Sequence, residues 1–397
     1  VLVCSGSFRA LGRDATAADR MVSAGTPGIT LAGSDGDPAS EALDMPQLDG
    51  GSGARRLTGA VQDRTVPLIA AAESVALNAD DLRGLAASPC RQPAMQTWLV
   101  GGSVVTGASD VIVLSNPADV PATVSLTVFG ARRSASTVVV PPKTQQALPL
   151  ASIAPDELTP VVQVVSEGAA IRAVLQSSLM RVLEPSGVDV QDGLAAPQRS
   201  LVFTGVQVPT AADAPTLRLL SPQHDVSAQV RVRVDGSAPQ EFSVALERGV
   251  PTEVALADLA PGFADVEVHA DEPVVAAVKQ STNAGNAADF SWMTPAPEIA
   301  DAIMFAVPQG PAAQLHLAND ADQSVGVVLR TGTGEQHITV PAASSVAVSV
   351  SVGSAELDPD GAVRASVTMG GDGQSAQLAG WPLWPVPQTQ HPITVYP

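Results

Sequence analysis

Aromatic residues are scarce in this sequence, with 7 Phe, 4 Trp and 1 Tyr among 397 residues. A chain so poor in rings builds its cores from Val, Ala and Leu, and it offers few of the flat apolar faces on which sugars and bases stack. Basic residues are also few, 21 Lys and Arg against 40 Asp and Glu, for a formal net charge of −19. A surface this acidic repels phosphate backbones, which excludes nucleic acid as a partner. No run of about 18 to 20 apolar residues occurs, so no segment reads as a membrane-spanning helix. No secretory leader is visible. The chain opens on the strand-like VLVCSGSF, and the expectation is that an export signal or membrane anchor precedes it.

Reactive patterns are missing too. No serine has glycine both two before and two after it, which removes the nucleophile elbow of the hydrolase fold. Neither cysteine has a neighbouring histidine, and the glycine loops that cradle nucleotide phosphates are absent. The five histidines, His224, His269, His316, His337 and His391, stand at no metal-ligand spacing. Carboxylates two apart in glycine-containing loops, Asp35 and Asp37 with Glu41, and Asp358 with Asp360, invite a calcium reading. They do not complete a calcium loop, and Asp and Gly are ordinary turn formers. No metal, cofactor or catalytic residue is assigned.

The chain has two cysteines, Cys4 and Cys90, 86 positions apart. In an exported protein they would pair, and closing so long a loop is worth about 4 kcal/mol in the chain-entropy model. The alternative is two buried free thiols.

What the sequence does contain is an internal repeat. Val124, Ser125, Leu126, Thr127 and Val128 alternate apolar and polar, the signature of a strand with one face in a core. Around them runs a pattern from Ser109 to Gln176 that returns downstream. Asn116–Pro117 answers to Ser221–Pro222, 105 residues on; LASIAPDE answers to LADLAPGF, 106 on; RAVLQS answers to AAVKQS, 104 on. A third copy is anchored by Asn319–Asp320, 98 after Ser221–Pro222. In it ITVPAASSVAV replaces TVVVPPKTQQALPL, and the last strand pair, VRASVTM and SAQLAGW, is joined through GGDGQ.

These units of roughly 100 residues, with short alternating strands and turn signals between them, predict an all-β fold of tandem immunoglobulin-like β-sandwich units with little helix. A β-propeller is the alternative. The expected organisation is an N-terminal segment over 1–98, then repeats over 99–200, 201–298 and 299–397. The Gly, Asp and Pro-rich tract 32–59 reads as a long loop, and ADDLRGLAA as a helical turn capped by Asn78 or Asp80. Trp98, Trp292 and Trp381 stand near unit edges, where packing between units is their expected role. Trp384 is the candidate exposed ring for contact with a ligand.

The set formed by CSGSF, a cysteine before WLVGGS, VLSNPADVPATVSLTVFG, the VPP turn, PVVAAVKQS, GVDV, DFSW and AGWPLWPV resembles a family of actinobacterial exported proteins known only as a domain of unknown function. That resemblance implies an N-terminal membrane segment and a gene neighbourhood of an envelope glycosyltransferase and sugar-nucleotide functions. It carries over no catalytic residue. The expectation is a non-catalytic, extracytoplasmic cell-envelope protein. It would present rigid β-domains to an envelope protein partner, with a membrane glycosyltransferase as the candidate. The alternatives are a glycan-binding module of the cell wall and an unrecognised hydrolase acting on glycans.

Overall fold

The computed structural model describes residues 1–12, 21–60, 67–210, 213–284, 287–370 and 376–385. His391 and most of the GGDGQ turn lie outside the described residues. Among those described, the chain is strand nearly throughout, with one helical turn at Leu150–Ile153. No helix is long and apolar enough to cross a membrane.

Ala122–Phe129 shows how the alternation is used. Val124, Leu126 and Val128 are buried while Thr123 and Ser125 face solvent. Burying each such Val or Leu is worth about 1.5–3 kcal/mol, so a strand of this kind is held by its inner face.

Three consecutive pairs of sheets follow one plan. In the first unit Gln96–Val100, Val161–Glu167, Ala122–Phe129 and Ser134–Val140 lie side by side. The facing sheet is Thr144–Pro149, Val111–Asn116, Arg172–Arg181 and Glu184–Asp192. Counted along the chain, the strand orders are 1-6-3-4 and 5-2-7-8. In the second unit strands one to five are Gln198–Val208, Thr216–Leu220, Val226–Val234, Gln240–Leu246 and Thr252–Ala255. Gly262–Ala284 then serves as strands six and seven in one run. It pairs first with Gln198–Val208 and Val226–Val234, then with Thr216–Leu220 and Ala287–Met293. The third unit repeats the order from Ile303–Val307 to Leu378–Pro382, with Glu298–Ile299 added beside Val363–Gly370.

A propeller blade takes consecutive strands, whereas each order here alternates between two sheets that share a core. In the first unit Leu99, Val124, Leu126, Val162 and Val164 of one sheet meet Ile112, Leu114 and Leu175 of the other. These are immunoglobulin-like sandwiches. The repeat extends to single hydrogen bonds. Asn116 Nδ2 donates to the carbonyls of Val120, Val140 and Pro141 while its Oδ1 accepts the N–H of Ala118. Asn319 makes the same four bonds to Gln323, Val340, Pro341 and Ala321.

The N-terminal part differs from the sequence expectation in two places. The tract 32–59 is not a loop. Ala39–Ala42 and Arg55–Thr58 form a sheet with Leu2–Val3, and Leu48–Asp49 pairs in parallel with Met21–Gly25. These strands are too short to show a period, and their partners lie far away in sequence. Nor is ADDLRGLAA helical. Ile69–Asn78 and Arg83–Pro89 pair as a hairpin through a turn in which Ala79 N–H donates to Leu82 O. Leu82, Leu85 and Ala86 imitate helical spacing, but the cross-strand partners Ala76 and Leu77 take that segment into a sheet. Cys4 and Cys90 are joined.

Candidate functional site

The eighth strands of all three units, Glu184–Asp192, Ala287–Met293 and Leu378–Pro382, converge with Arg83–Pro89 of the N-terminal part. Asp289 sits where they meet, 1% exposed. One carboxylate oxygen accepts the N–H groups of Val188 and Phe290, both at 3.0 Å; the other accepts those of Leu85 at 2.8 Å and Leu378 at 2.9 Å. One side chain thus ties the N-terminal part to every unit. Gly84 and Gly187, both at positive φ, make the approach possible, because a Cβ at either would strike this carboxylate. Burial pushes the Asp289 carboxyl well above its usual range, and the four N–H bonds pull it back. All its lone-pair directions face donors, so the ionised form is the one this cage satisfies. Asp189 answers from the first unit: it accepts Trp292 N–H at 2.8 Å, and burial raises its pKa to about 8.

Each junction also has its own plug, at the position three residues before the anchor Ser221 or Asn319. Arg218 donates to Gly102 O and Pro160 O of the first unit at 2.9 Å, pairs with Glu253 at 2.7 Å and lies over the Trp292 ring. His316 packs on Phe263 of the second unit at 4.5 Å between ring centroids and bonds Thr368 at 2.9 Å; burial lowers its pKa to about 4. The N-terminal part is bonded to the first unit through Arg172, which pairs with Asp192 and reaches Val3 O and Pro89 O.

Clefts lie between these locked parts. A small one of about 120 Å³ lies between Cys90, Phe305 and Trp384. Trp384 is half-buried, with the Arg91 guanidinium 3.6 Å above its ring centre, so one face of the candidate ligand ring is already covered. A groove of about 490 Å³ between the second and third units carries Arg231, Glu241, Glu267, His269 and Asp320. Two of its carboxylates, Glu241 and Glu267, are held by Arg231, at 3.3 and 4.0 Å. A third groove of about 340 Å³ between the first and second units is lined by Arg181, Asp213 and Lys279.

Trp98, Trp292 and Trp381 are all buried, in the cores that join or line the units. Of the loop acids, Glu41 binds Arg56 and Lys143, Asp358 binds Arg330, and Asp360 accepts Gly326 N–H. Among the described residues no group of three or more His, Cys, Asp or Glu could hold a metal ion. Sequence reasoning did not single out Asp289, Asp189, Arg218 or Lys279. The available signal was a charge inside an otherwise apolar strand, as in DFSW, GVDV, TLRLL and AAVKQS.

A family profile described as a family of unknown function, DUF5719, matches residues 47–370. The chain belongs to this family. No curated protein matches it. Among solved structures, the crystal structure of the FN1–FN3 domains of chicken CNTN1 is matched at 8% identity and a TM-score of 0.13, over 72% of this chain and 95% of that one. So loose an overlap has no weight beside the strand order of the DUF5719 chain itself.

Proposed function

We propose that this DUF5719 protein is a non-catalytic extracytoplasmic scaffold of the cell envelope, tethered by a segment that precedes the present chain. It acts by holding β-sandwiches in fixed relation for contact with a membrane protein. The observation that carries this reading is the Asp289 cage, in which one carboxylate binds backbone from all four parts. A chain of modules that needed to flex would not bury an ion at its common junction, since breaking any one bond there exposes an unpaired charge or donor. The disulfide supports an oxidising compartment. The half-covered Trp384 ring weighs against a sugar platform.

In-cell cross-linking followed by purification from envelope extracts tests the reading. A membrane-embedded enzyme of glycan assembly is the expected partner. Recovery of cytoplasmic proteins alone would rule the proposal out.

A further inference from the structure

Lys279 occupies a position that both other copies of the repeat keep sealed. Five residues before the anchor, strand two carries Val111, Thr216 or Gln314, and the residues paired with them on strand seven are Gln176, Lys279 and Thr368. In the first unit Gln176 is closed off by Arg9, whose N–H it accepts at 2.9 Å and whose carbonyl it binds at 2.7 Å. In the third, Thr368 is closed off by His316. In the second unit the position opens instead on the groove of about 340 Å³, beside Arg181, Ser186, Asp213, Thr216 and Ser281.

The Lys279 ammonium stands 4.5 Å from the Phe290 ring centre and 5.9 Å from that of Trp292, with no ion-pair partner among the described residues. Burial lowers its pKa, the positive charges of Arg181 and Arg218 lower it further, and Asp110 and Glu253 oppose them. Cations and carboxylates thus both act on Lys279 from a distance, and none of these four groups is paired with it directly. Arg181 is bound at the rim to Asp213 at 2.6 Å, with both side chains exposed. Such a pair exchanges partners at little cost.

The hairpin that walls the groove has an unusual lip. Val182 is 97% exposed at a φ of +60° and Leu183 is 81% exposed. A β-branched residue disfavours that conformation, and folding gains nothing from two apolar side chains left in water.

We propose that this groove binds a phosphate monoester, the oxyanion seated between Lys279 and Arg181 and the remainder of the ligand passing the Val182–Leu183 lip. Two cations line this one opening; once Arg181 releases Asp213 they match a dianion, to which the guanidinium can offer two parallel donors. The inference is independent of the scaffold reading. A soluble sugar phosphate and a lipid phosphate share this headgroup chemistry; the apolar lip would contact only the second.

The test titrates the full chain at low ionic strength with inorganic phosphate, glucose 1-phosphate, and phosphatidylcholine vesicles doped with phosphatidic acid. Calorimetry and vesicle co-sedimentation provide the readouts. Binding of at least one probe is expected, weakened about tenfold by Lys279→Met and by Arg181→Gln. Arg181 is exposed, so its variant remains decisive should Lys279→Met fail to fold. Vesicle binding that falls selectively with Leu183→Asp assigns a lipid ligand. Binding of the soluble esters that ignores Leu183→Asp assigns a soluble one. No saturable binding of any probe, or undiminished binding by Arg181→Gln, overturns the proposal.

Discussion

Arg218 and His316 fill the same slot of the repeat and solve the same problem differently. Each must carry a polar group into a buried seam between two sandwiches. Arg218 keeps its charge and satisfies it with two carbonyls, a carboxylate and an indole face. His316 gives up its charge, leans on Phe263 and spends one ring nitrogen on Thr368. The repeat therefore specifies where a seam is plugged, while the plugging chemistry follows from what the neighbouring unit presents. The two seams should also respond to conditions in opposite ways.

The largest effect should come from the residue both seams share. Asp289→Ala leaves four buried N–H groups without an acceptor, each worth about 1–3 kcal/mol, so a loss of at least about 4 kcal/mol is expected in urea unfolding. Amide protection should fall together in Arg83–Pro89, Glu184–Asp192 and Leu378–Pro382. A loss below about 1 kcal/mol would show that water replaces the carboxylate and that the cage is not what joins the parts.

Acidity should separate the seams. The folded pKa of His316 is about 4 against 6.5 in the open chain. The unfolded state therefore takes up a proton that the native state refuses. Its contribution, on the order of 3 kcal/mol, is fully present above pH 6.5 and is lost as the pH falls toward about 4. Asp189, at about 8, and Asp110, at about 6, start from 3.8 and behave in reverse. Their contribution is complete below pH 3.8 and is lost as the pH rises through those values. Hydrogen exchange across this range should loosen Ala313–Asn319 on the acid side and the Trp292 amide on the alkaline side. His316→Gln should flatten only the first. Parallel loosening of both would remove the distinction.

The smallest effect concerns the turn before strand five. Its left-handed residue is Lys143 in the first unit (φ 52°), Gly249 in the second (φ 78°) and Ala343 in the third (φ 48°). Ala343→Gly should raise stability by up to about 1 kcal/mol, seen as a higher melting temperature. A lower one would mean that the Arg233 bond to Ala343 O at 2.6 Å depends on the stiffer residue.

Much of this fold is legible in the sequence. Alternation in Ala122–Phe129 gives the strand and its buried face, and Asn116 and Asn319 mark equivalent points because the same four bonds need the same side chain. The repeat also misleads by one residue. Aligned as text, Gln280 matches Gln176, but in the sheets Lys279 takes that place, and a shift of one moves a side chain to the other face. The strands of 32–59 were hidden because two to six residues show no period. The Asp289 cage and the Lys279 groove stayed hidden for a different reason. Their donors and walls come from segments far apart in the chain, 204 residues for Leu85 and Asp289, and no local pattern announces them.

The N-terminal part bears on how the molecule comes into being. Arg9 must wait for Gln176, and Ser74 for Gln309, partners 167 and 235 residues downstream. Contacts of that span are costly to close and form late. The earliest of these residues to leave the ribosome are thus among the last to find their neighbours. The bridge from Cys4 to Cys90 is the one covalent tie across that patch, a clasp that does not depend on those distant partners.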